Sequence, residues 1–196
     1  MERRVPRLSN IRVSDIPPEL FRSEAKRRRE RGQLTSIYSM IGDYPGTFSL
    51  SDPGEIAWII WYVESCGADG FLKWAYDAWC ENPLEDNAHA YFEAGDMFLI
   101  YPGEYRGAKT KPGCSPRFQM MAEAIRDVRK LRQLSRMSPK YETRAAELLS
   151  GVKQFYGTGE SNGIGTAGLI TAKEAVKEAL AEEVRRLHRQ TEELLS

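Results

Sequence analysis

Gly70-Phe71-Leu72-Lys73-Trp74-Ala75-Tyr76-Asp77-Ala78-Trp79 opens on a glycine and is rich in aromatic residues, so it reads as a strand. What precedes it sets its partners. Pro53 to Cys66 carries Ile56, Ala57, Trp58, Ile59, Ile60, Trp61, Tyr62 and Val63 with no polar face, and a helix apolar almost all round must be covered on most sides. Asp52 stands before Pro53 with Glu55 three residues on, so one carboxylate can cap free amides while the other reaches back. Gly67 ends that helix. Upstream, Gln33 to Ile41 mixes β-branched and aromatic residues between Gly32 and Gly42, a second strand. Strand, helix and strand within about 45 residues make the βαβ unit of a parallel sheet, so the class is α/β.

On the amino-terminal side, Ile11 and Val13 suggest a brief strand ending at Asp15, and Pro17-Pro18 can open a helix over Glu19 to Arg31 with Gly32 placed to stop it. Its basic run, Lys26 to Arg31, is interrupted by Glu30 and preceded by Glu24, which reads as a solvated face. On the other side, Asp96 to Tyr101 reads as a short strand stopped by Pro102-Gly103. Ser115-Pro116 then opens a helix with Phe118, Met121, Ile125, Val128, Leu131 and Leu134 three or four residues apart. Ser138-Pro139 opens another, with Tyr141, Ala145, Leu148, Leu149, Val152 and Phe155 on one side. Gly157 to Gly168 is a glycine-rich connector lacking the Gly-Lys-Ser/Thr of a phosphate loop. Thr171 and Glu174 form a capping-box pattern for a last helix to about Leu195, with a thin stripe of Val176, Ala179, Leu180, Val184 and Leu187. Two parts are expected, 1–137 and a carboxyl-terminal helical extension, 138–196.

The chain's 196 residues balance 28 Lys and Arg against 28 Asp and Glu, and 41% are hydrophobic. That supports a packed core and speaks against a general polyanion binder, so no nucleic-acid partner is expected. The longest apolar run, Ile56 to Val63, is far short of the roughly 20 residues that span a bilayer, so no membrane partner is expected either. Residues after Met1 are polar, without the apolar core of a secretory signal. As it stands the chain reads as cytoplasmic, while a parent enzyme could be exported. Cys66, Cys80 and Cys114 are odd in number and form no Cys-x-x-Cys pair, which points to reduced, mostly packed thiols. His89 and His188 are far apart, with no ligand spacing. Neither a metal nor a cofactor is expected.

All four tryptophans fall between positions 58 and 79. Trp58 and Trp61 belong to the apolar helix and its packing. Strand alternation puts Trp74 and Tyr76 on one face, with Lys73, Ala75 and Asp77 on the other. Near the carboxyl end of a barrel strand, Trp74, Tyr76 and Trp79 would line a ligand site. Rings beside carboxylates suit a sugar, whose C–H face lies on the ring while its hydroxyls bond to carboxylate oxygens. The plainer account is a strand of large residues buried against helices.

The 70–79 stretch, followed by Pro83, by Gly95-Asp96-Met97-Phe98-Leu99-Ile100-Tyr101-Pro102-Gly103, and by a helix with Ser115-Pro116-Arg117-Phe118-Gln119 and Ala124-Ile125-Arg126-Asp127, resembles the carboxyl-terminal part of the catalytic domain of glycoside hydrolase family 123. The resemblance runs over about residues 33 to 135. Gln119 and Val128 depart from it, where the family tends to have Glu and an aromatic residue. It implies a TIM-barrel scaffold and removal of terminal β-linked N-acetylgalactosamine. In that mechanism the acetamido oxygen attacks the anomeric carbon, an Asp orients it, and the adjacent Glu is general acid then base. No Asp is directly followed by Glu here, and Glu85-Asp86 is reversed and beyond the last matched strand, so no catalytic residue is assigned. A full barrel needs about 250 residues. The expectation is therefore a partial (β/α)8 barrel, its carboxyl-terminal strand–helix units followed by helices, inactive by itself. Tyr38, Trp74, Tyr76, Asp77 and Trp79 are its expected substrate-binding residues, an N-acetylhexosamine glycan its partner, and an open sheet edge or the last helix a route to association. The alternative is a non-catalytic carbohydrate-binding or interaction protein.

Overall fold

The computed structural model describes residues 8–12, 17–39, 43–89, 92, 94–105, 107–155, 159–161, 170–172 and 174–196. Along the chain run β1 (Leu8–Arg12), α1 (Pro18–Glu30), β2 (Leu34–Tyr38), α2 (Pro53–Ser65) and β3 (Gly70–Leu72). The short strands β4 (Ile100–Tyr101), β5 (Glu104–Tyr105), β6 (Ala108–Lys109) and β7 (Gly113–Cys114) follow. Then come α3 (Pro116–Ser135), α4 (Pro139–Ser150), β8 (Gly159–Ser161), β9 (Ile170–Ala172) and α5 (Glu174–Leu195).

β1, β2 and β3 form a parallel sheet in that order, with Ile11, Ile37 and Phe71 in register. A helix makes each crossover, which is the mixed α/β arrangement expected from the pattern. Ile37 is buried in the helix core, so alternation turns Ser36 and Tyr38 to the opposite face of the sheet. The basic run of α1 does more than face water. Arg27 pairs with Glu24, but Arg28 donates to Thr35 Oγ1 (3.0 Å) and to the Leu34 carbonyl (2.9 Å). Arg29 donates to the Gly67 carbonyl and to Asp69, whose carboxylate also accepts the Thr35 amide at 2.7 Å. Together these bonds tie α1 to the amino ends of β2 and β3.

α2 begins with the expected box: Asp52 accepts the Gly54 amide (2.7 Å) and Glu55 accepts the Asp52 amide (2.9 Å). Every residue from Gly54 to Val63 is buried. α3, α4 and α5 supply the cover, contributing Ala124, Val128, Leu131, Ala145, Leu148, Leu180, Val184 and Leu187 to one core with Ile37. Trp58 stacks on Tyr62 at 5.0 Å, takes Phe155 edge-on at 5.7 Å, and donates its N–H to the Lys153 carbonyl at 3.2 Å. Side-chain caps start two of the covering helices: Ser115 accepts the Phe118 amide (3.1 Å) and Ser138 the Tyr141 amide (3.4 Å). None of the described helices is long and apolar enough to cross a membrane.

Several expectations need correction. The strand expected over 70–79 stops at Leu72, because beyond it the backbone pairs irregularly with 97–100: Ala78 amide to Met97 carbonyl (3.1 Å), Leu99 amide to Tyr76 carbonyl (2.8 Å). For the same reason Asp96 to Tyr101 keeps only Ile100–Tyr101 as strand, antiparallel to β7 and outside the parallel sheet. Of 33–41, Leu34–Tyr38 is strand, while 40 and 41, like Val13 to Asp15, lie outside the described residues. Thr171 cannot cap α5, since it pairs with Glu160 in the β8–β9 hairpin and the helix begins at Glu174. Most of the glycine connector lies outside the described residues. On α5, Ala179 is exposed and Val176 only half-buried, so the stripe is narrower than expected. The three thiols are free, but only Cys66 is buried; Cys80 is half-buried and Cys114 exposed.

Replacing Trp58 with alanine will lower the unfolding free energy by about 3–5 kcal/mol, a large part of the roughly 5–15 kcal/mol of an ordinary domain. Urea titration reads this as a lower midpoint at unchanged slope. Burial pushes the Glu55 carboxyl from 4.5 up to about 7, against the two amides it accepts. A raised folded-state value means this group's contribution is full below pH 4.5 and lost as pH rises through 7. Glu55→Gln should therefore gain stability relative to the parent between about pH 5 and about pH 8, read from urea midpoints. A constant difference across that range contradicts the assignment.

Candidate functional site

β3 delivers the chain to Lys73, whose ammonium turns inward to Asp96 at 2.5 Å, both side chains less than a tenth exposed. Lys73 also donates to Thr47 Oγ1 at 2.9 Å. Burial outweighs the pull of Asp96 and holds the lysine below its ordinary value. The second Asp96 oxygen accepts the Trp74 indole N–H at 2.9 Å. One buried carboxylate thus neutralises the lysine that ends the strand and orients the ring that follows.

Around this pair the loops are drawn in by a buried guanidinium. Arg117, on the first turn of α3, donates to the carbonyls of Thr47, Gly95 (2.9 Å) and Phe98 (3.2 Å). Gly95 adopts φ +70°, and a Cβ there would meet Ser49 Oγ at 2.0 Å, so glycine is required. Neither Arg117 nor the Lys73–Asp96 pair was assigned a role from the sequence. Their partners are 19 and more residues away in sequence, and an isolated Arg or Lys reads as surface. The Gly-Asp step at Gly95-Asp96 was the available signal.

The expected site residues are placed as follows. Trp74 is 47% exposed and lies against Phe92, ring centroids 4.7 Å apart. Tyr76 is 42% exposed, edge-on to Phe118 at 5.8 Å. Trp79 is 45% exposed, its N–H donated to the Ile100 carbonyl at 2.7 Å. Asp77 is exposed, with its backbone bridged to Phe98. Tyr38, half-buried, closes β2 in register with Leu72. The rings are therefore in water rather than sealed against helices, but they serve different hollows. Tyr76 borders a groove of about 430 Å³ with Phe71, Met121, Ile125 and Arg129. Trp79 borders another of about 310 Å³.

His188 has a partner that spacing could not show. Its Nδ1 lies 2.7 Å from Asp127 Oδ2, joining α5 to α3 across 61 positions of sequence. Asp127, His188 and Glu192 offer ligand atoms within 4.8 Å of one another. Lys130 sits on both carboxylates, at 3.4 Å from Asp127 and 2.6 Å from Glu192, and supplies the cluster's positive charge.

Half-exposed rings, one of them bonded to a buried carboxylate, thus follow the last parallel strand of an α/β protein. Comparison with known proteins narrows the class. Residues 5–134 match the family described as glycoside hydrolase 123, catalytic domain, and the chain belongs to that family. A solved family 123 glycoside hydrolase from Clostridium perfringens, from a structural analysis of glycolipid glycan hydrolysis, is 32% identical with a TM-score of 0.85. The alignment covers 95% of this chain and 32% of that one, so the chain spans about a third of that protein's length. No curated protein matches.

Removing one partner of the buried pair strands the other. Asp96→Ala and Lys73→Met should each destabilise the fold by about 3–5 kcal/mol, and the double variant by clearly less than their sum. Urea unfolding of the four proteins measures the coupling. Strict additivity would show that the two groups do not depend on each other.

Proposed function

We propose that the chain contributes the closing strand–helix units of a (β/α)8 barrel that hydrolyses terminal β-linked N-acetylhexosamine. Residues 1–137 form the barrel portion, and 138–196 are the helical extension that covers α2. The observation that carries this reading is Trp74: a half-exposed indole whose N–H is bonded to a buried carboxylate and whose ring lies against Phe92, leaving the rest of the ring to solvent. Such a ring takes the C–H side of a pyranose, while the Asp77 carboxylate and the Tyr38 hydroxyl bond to its hydroxyls. Family membership and the parallel sheet support a carbohydrate substrate and a barrel.

In the substrate-assisted route, adjacent Asp and Glu residues do the proton work. This sequence contains no Asp followed by Glu. The chain's own share is then substrate positioning by Tyr38, Trp74, Tyr76, Asp77 and Trp79, and by itself it has little or no hydrolytic activity.

Tryptophan fluorescence of the 196-residue chain titrated with N-acetylgalactosamine should saturate, and should stay flat for Trp74→Ala. A flat titration of folded parent protein removes the carbohydrate reading. Turnover of an aryl β-N-acetylgalactosaminide by the purified chain would overturn the assignment of the acid/base pair elsewhere.

A further inference from the structure

We propose that Trp79 is the platform of a second saccharide subsite, distinct from the Trp74 ring, which receives another sugar unit of the same glycan. The proposal rests on the carbohydrate reading above and adds a location to it. The groove, about 310 Å³, is lined by Trp79, Glu81, Asn82, Leu84, Pro102 and Glu104. Trp79 is nearly half exposed yet fixed in orientation, because its only donor is bonded to the Ile100 carbonyl. What it brings to the groove is the exposed part of an indole ring with no hydrogen bond left to give.

Around that ring the chemistry is polar. Glu81 and Glu104 bring carboxylate acceptors and Asn82 brings both an acceptor and donors, all three side chains exposed. An apolar face ringed by such groups matches a pyranose, which has an apolar C–H side and a rim of hydroxyls that donate to carboxylates. Two carboxylates disfavour a phosphate or other anion there.

The groove is formed before any ligand arrives. The Cys80 thiol donates to the Asp86 carbonyl at 3.1 Å, and the amides of Glu85 and Asp86 donate to the Asn82 carbonyl at 3.0 and 2.8 Å. These bonds hold the turn that carries Glu81 and Asn82 beside Trp79. Both ring positions are also tied to one segment, 96–100: the Trp74 N–H donates to the Asp96 carboxylate at 2.9 Å, while the Trp79 N–H donates to the Ile100 carbonyl at 2.7 Å. Five residues of chain keep the Cα atoms of Trp74 and Trp79 within about 18 Å, the reach of a short oligosaccharide.

Calorimetric titration of the full chain with N-acetylgalactosamine, and with a trisaccharide ending in β-linked N-acetylgalactosamine, tests this. The trisaccharide should bind at least about tenfold more tightly than the monosaccharide. In Trp79→Ala that ratio should fall to within about twofold, with the circular dichroism of the parent retained. Trp79→Phe, which keeps an apolar face and loses the N–H, should keep part of the gain and serves if the alanine variant does not fold. Equal affinity for the two ligands in the parent chain, or an unchanged ratio in Trp79→Ala, overturns the second subsite and leaves the carbohydrate reading standing. Absence of monosaccharide binding overturns both.

Discussion

Ten consecutive residues of α2, Gly54 to Val63, have no solvent face, and the rest of the architecture follows from that demand. A helix of this kind cannot rest on a sheet alone, because a sheet covers one side of a cylinder. The parallel strands take one side through Ile37 and Phe71, and α3, α4 and α5 take the others. The carboxyl-terminal helices are thus part of the same core, not a loosely attached tail. Even the polar entrance to α2 is enclosed, with Glu55 accepting the amides of Gly46 (2.6 Å) and Asp52 inside the fold. Such a carboxylate both caps a helix and fixes the loop before it.

A second constraint acts where β3 ends. The strand stops because Lys73 leaves the ladder for Asp96, and the following segment exchanges backbone bonds with 97–100. Buried ion pairs contribute little net stability compared with apolar packing, but they define geometry, since any other arrangement leaves a charge unpaired. Here the geometry defined is that of Trp74. Arg117 applies the same logic to the carbonyls of Thr47, Gly95 and Phe98. The surface rings are therefore oriented by polar groups beneath them.

Local features were readable in the residue order. The caps at Asp52, Ser115 and Ser138 form as their spacing indicates, because each involves residues within three positions. Trp58 and Trp61 are core because nothing polar interrupts their helix. Long-range features were not readable. Alternation over 70–79 cannot distinguish a strand from an extended loop, and what separates them is an aspartate 23 positions away. His188 gave no sign of Asp127, and Thr171 gave none of its strand pairing with Glu160. At the site, composition and resemblance named the rings, and the structure shows them exposed. That Tyr76 and Trp79 border different grooves depends on turns at 73–79 that no periodicity encodes.

The two constraints divide the molecule by how its parts are stabilised. Behind the sheet, stability comes from apolar area, which tolerates small displacements because burial is non-directional. In front, the described residues of 73–105 have little regular secondary structure beyond two-residue strands, and they are held by individual directional bonds such as Trp74 to Asp96 and Trp79 to Ile100. Directional bonds fix a ring's tilt far better than hydrophobic contact does, and a stacked sugar is sensitive to tilt. A surface built this way suits recognition of a polar ligand with defined faces, while the apolar body behind α2 carries most of the burden of folding.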